Sequence, residues 1–117
     1  MIKAQKIAQI GEDMAGKYLI RHRYLIIATN VKFREGEIDI IAKKANRLIF
    51  VEVKTRTNWN FGYPEAAMDS FKKQKFQQAI DKYIFQNNYQ GEWQADLIAI
   101  DLKGNQAKLR HYQSIEL

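Results

Sequence analysis

Gly36-Glu37-Ile38-Asp39-Ile40-Ile41, followed after a polar gap by Phe50-Val51-Glu52-Val53-Lys54, is the stretch that decides the fold. Both runs are rich in β-branched and aromatic residues, which favour strands. Into them are set an aspartate, a glutamate and a lysine, types that burial normally excludes. The gap, Lys43-Lys44-Ala45-Asn46-Arg47, is polar and holds a turn-former at Asn46, so the two runs are expected to form a hairpin. A loop from Lys44 to Arg47 would pair Lys43 with Leu48, Ile41 with Phe50 and Asp39 with Glu52. Two carboxylates opposed across a ladder repel. A hard divalent cation, Mg²⁺ or Mn²⁺, held between them would remove that penalty. Lys54 shares a face with Glu52 by strand alternation. Two acids and an ammonium meeting at one spot suit the handling of phosphate. A loop one residue longer or shorter would separate the acids. The bland alternative is a solvated strand end, against which Asp39 stands, set as it is in an otherwise apolar run. Glu37 is read as pointing to the face opposite Asp39 and is left outside the site.

The chain has 117 residues, enough for a single domain spanning residues 1–117 with one core. Hydrophobic residues make up 46% and charged residues 27%, ordinary for a globular protein. With no cysteine, disulfides and thiolate zinc sites are excluded and a reducing, cytoplasmic setting is compatible. Neither a signal-peptide core nor an apolar run of membrane-spanning length is present in the sequence. The net charge of +6 favours a polyanionic partner, and so a nucleic acid.

Outward from the hairpin, residues 5–21 are expected to be helical, with Ile7, Ile10, Met14, Tyr18 and Leu19 as the apolar stripe. Glu12 falls at the margin of that stripe, where boundary polarity is the simplest explanation. Tyr24 to Val31, Glu37 to Ala42 and Leu48 to Lys54 are the first three strands. A loop from Thr55 to Tyr63 carries Arg56, Trp59 and Phe61. Pro64 and Glu65 suit the first turn of a second helix, expected to run to about Asn87. Its apolar side would carry Phe71, Phe76, Ile80, Tyr83 and Ile84, and its other side Lys72, Lys73, Lys75 and Lys82. Gln94 to Leu102 and Ala107 to Tyr112 complete the strands around the turn at Lys103-Gly104-Asn105. Helix, three strands, helix, two strands implies an α/β mixed sheet flanked by helices. His22 and His111 match no metal-ligand spacing and are expected to be surface polarity.

This order, with an acid in the first helix, Asp39 on the second strand and Glu52-Val53-Lys54 closing the third, resembles the PD-(D/E)xK nuclease core, the restriction-endonuclease-like fold. More closely, the chain is similar to the YraN-like family of bacterial proteins, relatives of the Holliday-junction resolvases within that fold. The likeness runs from Gly11-Glu12 to about Tyr112. Its most specific part is Gly36 to Ala42 together with Phe50 to Arg56, and it includes Asn30, Lys72, Asp96 and His111. The proline that usually precedes the motif aspartate is replaced by Ile38, and Gln113 to Leu117 departs from the family's usual ending.

The resemblance implies that Asp39 and Glu52 are metal ligands for Mg²⁺ or Mn²⁺, with Glu12 a further acid. It implies that Lys54 is the electrostatic or water-orienting residue. Together the four would form the catalytic set of an endonuclease hydrolysing phosphodiester bonds of DNA, branched or junction DNA included. Arg56, Lys72, Lys73 and Lys75 are the candidate contacts to the nucleic-acid backbone, and Trp59 and Phe61 candidates for stacking on bases. Symmetric cutting of two strands would call for a homodimer. A nucleic-acid-binding module that keeps the fold without cutting is the competing expectation.

Overall fold

The hairpin expected from the sequence is the centre of the sheet. The structure, a computed structural model, describes residues 3–57 and 68–117. Its elements are α1 (Ala4–Arg21), β1 (Leu25–Lys32), β2 (Glu37–Lys44), β3 (Arg47–Arg56), α2 (Ser70–Gln86), β4 (Glu92–Lys103) and β5 (Gln106–Tyr112). The strands lie side by side in chain order. β3 and β4 are parallel, and the other neighbours are antiparallel. Parallel neighbours need a crossover, and α2 lies within it. This five-stranded mixed sheet with two helices is consistent with a restriction-endonuclease-like core.

The β2–β3 register is the expected one, with Ile41 opposite Phe50 and Lys43 opposite Leu48. The loop is tighter than expected. Lys44 pairs with Arg47, leaving Ala45 and Asn46 as the turn, and it is Ala45 that adopts a positive φ, 56°.

The two sheet faces carry separate apolar clusters. On the α1 side, Ala15 and Leu19 pack with Ile40, Val51, Ile98 and Ile100. On the α2 side, Phe76, Ala79 and Ile80 pack with Ile41 and Phe50. Each fully buried Ile, Leu or Phe contributes on the order of 1.5–3 kcal/mol. The stripe of α1 is rotated from expectation. Gly11, Ala15 and Leu19 are its buried positions, while Ile7, Ile10, Met14 and Tyr18 are half-buried. Small residues take the centre because the helix lies close to the sheet. A Cβ on Gly11 would collide with the side chain of Thr55 on β3. That close approach carries Glu12, the next residue, to the end of the β2–β3 hairpin.

Three further expectations are corrected. The second helix starts at Ser70, not Pro64: Asp69 is its N-cap, its side chain accepting from the Lys72 backbone N–H at 2.9 Å. Pro64 and Glu65 lie outside the described residues. Phe71 is 65% exposed and not on the core side, because the buried stripe is Phe76, Ala79 and Ile80. His111 is not surface polarity. Its ring is sandwiched in a polar chain, Nε2 lying 2.7 Å from Asp96 Oδ2 and Nδ1 lying 2.9 Å from the Tyr18 hydroxyl. Asp96 Oδ1 also accepts from Gln94 Nε2 and from the Ser114 backbone N–H. This chain ties α1, β4, β5 and the C-terminal segment together. Among the described residues, no helix is long and apolar enough to cross a membrane.

Candidate active site

The ladder between β2 and β3 ends at Ile40 opposite Val51. One step further along each strand stand Asp39 and Glu52, and their expected pairing lies beyond the end of that ladder. Asp39 is buried, and its Oδ2 accepts from the backbone N–H of Val53 at 2.8 Å. Val51 and Val53 pack on the α1 side, so Glu52 and Lys54 alternate toward α2. The Lys54 ammonium lies 3.5 Å from Glu52 Oε1, both side chains being mostly buried. With the Asn30 amide on β1 assigned so that its nitrogen rather than its oxygen meets the acid, that nitrogen lies 3.3 and 3.2 Å from the two carboxylate oxygens of Glu12.

These groups border one cavity of about 720 Å³, lined by Glu12, Glu37, Asp39, Glu52, Lys54 and Arg56 among others. The size lies within the range of ligand sites. Its electrostatics are set first by burial of the acids and then by their closeness to one another. Burial pushes the Asp39 carboxyl up to about 7; Glu52, Glu12 and Glu37 push the same way, and the Val53 N–H opposes them. Glu12 is also raised by burial, an effect the Asn30 amide counters. Burial raises Glu52 as well, offset by the ammoniums of Lys54 and Lys72. Each shift has the same first cause, burial of the carboxylate away from water, and around Asp39 the neighbouring acids add to it.

The four acids and bases expected from the sequence are therefore brought together. Glu37 joins them, against the expectation that it pointed away. Residues two apart on a strand share a face, so Glu37 accompanies Asp39. The alternation alone was enough to find it. Lys72 is exposed on the outer side of the helix as expected, yet it also feels the site. It stands at the first turn of α2, where the neighbouring Lys54 ammonium holds it below the usual lysine range, with burial acting alike and Glu52 opposing. Lys73 and Lys75 do not line the cavity, and the Lys75 ammonium lies 5.4 Å from the centre of the Phe71 ring. Trp59 and Phe61 lie outside the described residues.

The donor set fits a hard divalent cation: it is all carboxylate oxygen, and a cation would favour the ionised form of acids that burial holds toward the protonated one. Among the described residues, no three acidic or histidine side chains form a ready-made cage. Coordination through one or two carboxylates, completed by water and phosphate oxygens, is the usual mode for Mg²⁺.

Residues 11–100 match the model of uncharacterised protein family UPF0102. The chain belongs to that family. A UPF0102 protein of Flavobacterium psychrophilum is 34% identical over 97% of this chain and 95% of its own length. One from Caldanaerobacter subterraneus subsp. tengcongensis is 38% identical over 92% of this chain and 88% of its own. A third, from Carboxydothermus hydrogenoformans, is 35% identical over 95% of both. Their names state no activity, so for this UPF0102 member chemistry has to be argued from the site.

Proposed function

We propose that this protein is a metal-dependent nuclease that hydrolyses phosphodiester bonds of DNA, branched DNA included. One observation carries the reading: Asp39, buried and raised to about 7, shares a cavity with Glu12, Glu37, Glu52 and Lys54. Acids crowded without a compensating charge cost stability, and they are retained where a ligand supplies that charge. Asp39 and Glu52, with Glu12, would hold Mg²⁺ or Mn²⁺. The chemistry such an ion supplies is polarisation of a phosphoryl oxygen and acidification of a water.

The protein's own groups do the rest. The Val53 N–H fixes one oxygen of Asp39, which also borders the cavity. Lys54, held beside Glu52, places a positive charge where the phosphoryl group gains negative charge on attack, without reorganisation at that moment. Lys72 adds a second ammonium from α2, and Arg56, at the cavity lining, is placed to meet a phosphate. The net charge of +6 draws a polyanion toward an otherwise acidic pocket.

The test is a cleavage screen of duplex, single-stranded and branched DNA with Mn²⁺, run beside Glu52→Ala and Lys54→Ala. Both substitutions should lower cleavage on the order of a hundredfold or more, with affinity for DNA retained. Cleavage that survives both would end the reading. A second reading, a DNA-binding module that does not cut, is favoured by the Lys54–Glu52 ion pair, in which the ammonium neutralises one proposed ligand. In that case wild type and both variants bind alike and none cuts.

A further inference from the structure

Asn30 sits within β1 with φ at 52°, in the left-handed region, while its neighbours stay paired to β2, Thr29 with Ile40 and Val31 with Ile38. This places it across from Asp39. The conformation is strained for any side-chain-bearing residue and tolerated best by Asn. Such strain persists only where the surroundings over-determine it.

What the conformation delivers is the side-chain amide, whose nitrogen forks onto both carboxylate oxygens of Glu12 at 3.3 and 3.2 Å. The opposite amide orientation would set its oxygen against two more oxygens. Glu12 needs that fork. It borders the active-site cavity on one side and, with Asn30 and Asp39, a second cavity of about 390 Å³ between α1 and β1 on the other. With open space on two sides, hydrogen bonding rather than close packing fixes its carboxylate.

We infer that Asn30 is a positioning residue, clamping the Glu12 carboxylate beside Asp39 so that the two acids meet a divalent cation as a pre-set pair. The inference rests on the metal-dependent reading of the site. An outer partner of this kind commonly sets about ten- to a hundredfold in metal affinity. The gain comes from fixing a flexible ligand before the ion arrives.

Mn²⁺ binding to the full chain, measured by calorimetry or electron paramagnetic resonance without nucleic acid, tests it. Asn30→Gly is the informative variant, because glycine accepts the left-handed backbone and removes only the amide. The expected result is a Kd weakened about ten- to a hundredfold, with the metal-free melting midpoint nearly unchanged. Glu12→Gln should weaken binding comparably, and adding Asn30→Gly to it should cost nothing more, since the amide acts only through Glu12. Wild-type binding with an unchanged Kd in Asn30→Gly overturns the inference alone. So does a metal-free midpoint lowered by more than about 10 °C, which would make Asn30 a fold residue. No Mn²⁺ binding by the wild type overturns both this inference and the metal-dependent reading.

Discussion

Asp96 on β4 and Asp39 on β2 are buried in the same sheet, 0% and 6% exposed, and the fold treats them in opposite ways. Asp96 is met by the His111 ring, the Gln94 amide and the Ser114 N–H. Asp39 receives one backbone N–H and is otherwise surrounded by Glu12, Glu37 and Glu52. A buried carboxylate is expensive unless its oxygens are satisfied. Where the protein has solved that problem with its own groups, the acid works as a fastener. Where it has left the problem open beside a cavity, the missing charge is expected from outside. Neither burial nor residue type separates the two aspartates; only the completeness of the partners does.

The largest effect should come from breaking the completed network. Asp96→Ala would remove the centre of a chain that joins α1, β4, β5 and the C-terminal segment. Each buried donor left without its acceptor typically costs about 1–3 kcal/mol, and Asp96 serves three. Urea unfolding should show that loss, while any stabilisation by Mn²⁺ survives in the fraction that folds. Asp39→Asn should do the reverse, removing the response to metal and leaving the metal-free protein at least as stable near neutral pH. If Asp96→Ala proves neutral and Asp39→Asn severely destabilising, the contrast between the two aspartates is wrong.

The hairpin was legible in the sequence because its register follows from two apolar runs and one short polar gap. Asp39 and Glu52 follow from it as far as a shared cavity, while the ladder itself ends one pair earlier. Glu12 was visible only as a polar residue at the edge of a stripe. Its approach to β2 depends on Gly11 letting α1 settle against Thr55, a tertiary contact with no periodic signature. Glu37 was legible and misread, since its alternation with Asp39 follows from sequence spacing alone. The role of His111 was not legible: a lone histidine at a strand end becomes a network member only once β4 and β5 pair and place Asp96 beneath it. Lys72 likewise reads as one of several helix lysines until the Asp69 cap fixes where the first turn of α2 begins.

A cation should sharpen the same contrast. A ligand that binds only the folded state stabilises it by about 2.7 kcal/mol at a hundredfold excess over its Kd, so melts with millimolar Mn²⁺ should shift upward. The shift should depend on pH in a defined direction. Asp39 titrates near 3.8 when unfolded and near 7 when folded, so the folded state binds its proton more tightly. Stability from this group is fully present below about pH 4 and is lost as pH rises through 7. Metal can compete for the carboxylate only once it ionises, so the Mn²⁺ shift should be small at pH 5 and larger at pH 8. A shift that is equal at both values, or that persists in Asp39→Asn, would place the ion elsewhere.

The smallest expected effect separates the acidic pocket from the basic surface around it. If the excess positive charge holds DNA by neutralising phosphates, log affinity should fall linearly with log salt, each contact adding a slope of about −0.9 on duplex. Lys73 and Lys75 are the suitable probes, because they do not line the cavity, whereas Lys72 stands beside Lys54 and Glu52. Reversing both to glutamate should weaken all sequences alike and flatten the slope by up to about two contacts' worth. Any preference for branched over linear DNA should survive, since a preference of that kind is read from shape. Cleavage of bound substrate at saturation should also survive, because the charges removed lie away from the reacting phosphate. A slope untouched by the reversal would move the backbone contacts to another face, with Lys17, Arg21 and Arg23 the next to reverse. Affinity independent of salt would remove phosphate neutralisation as the role of the basic surface.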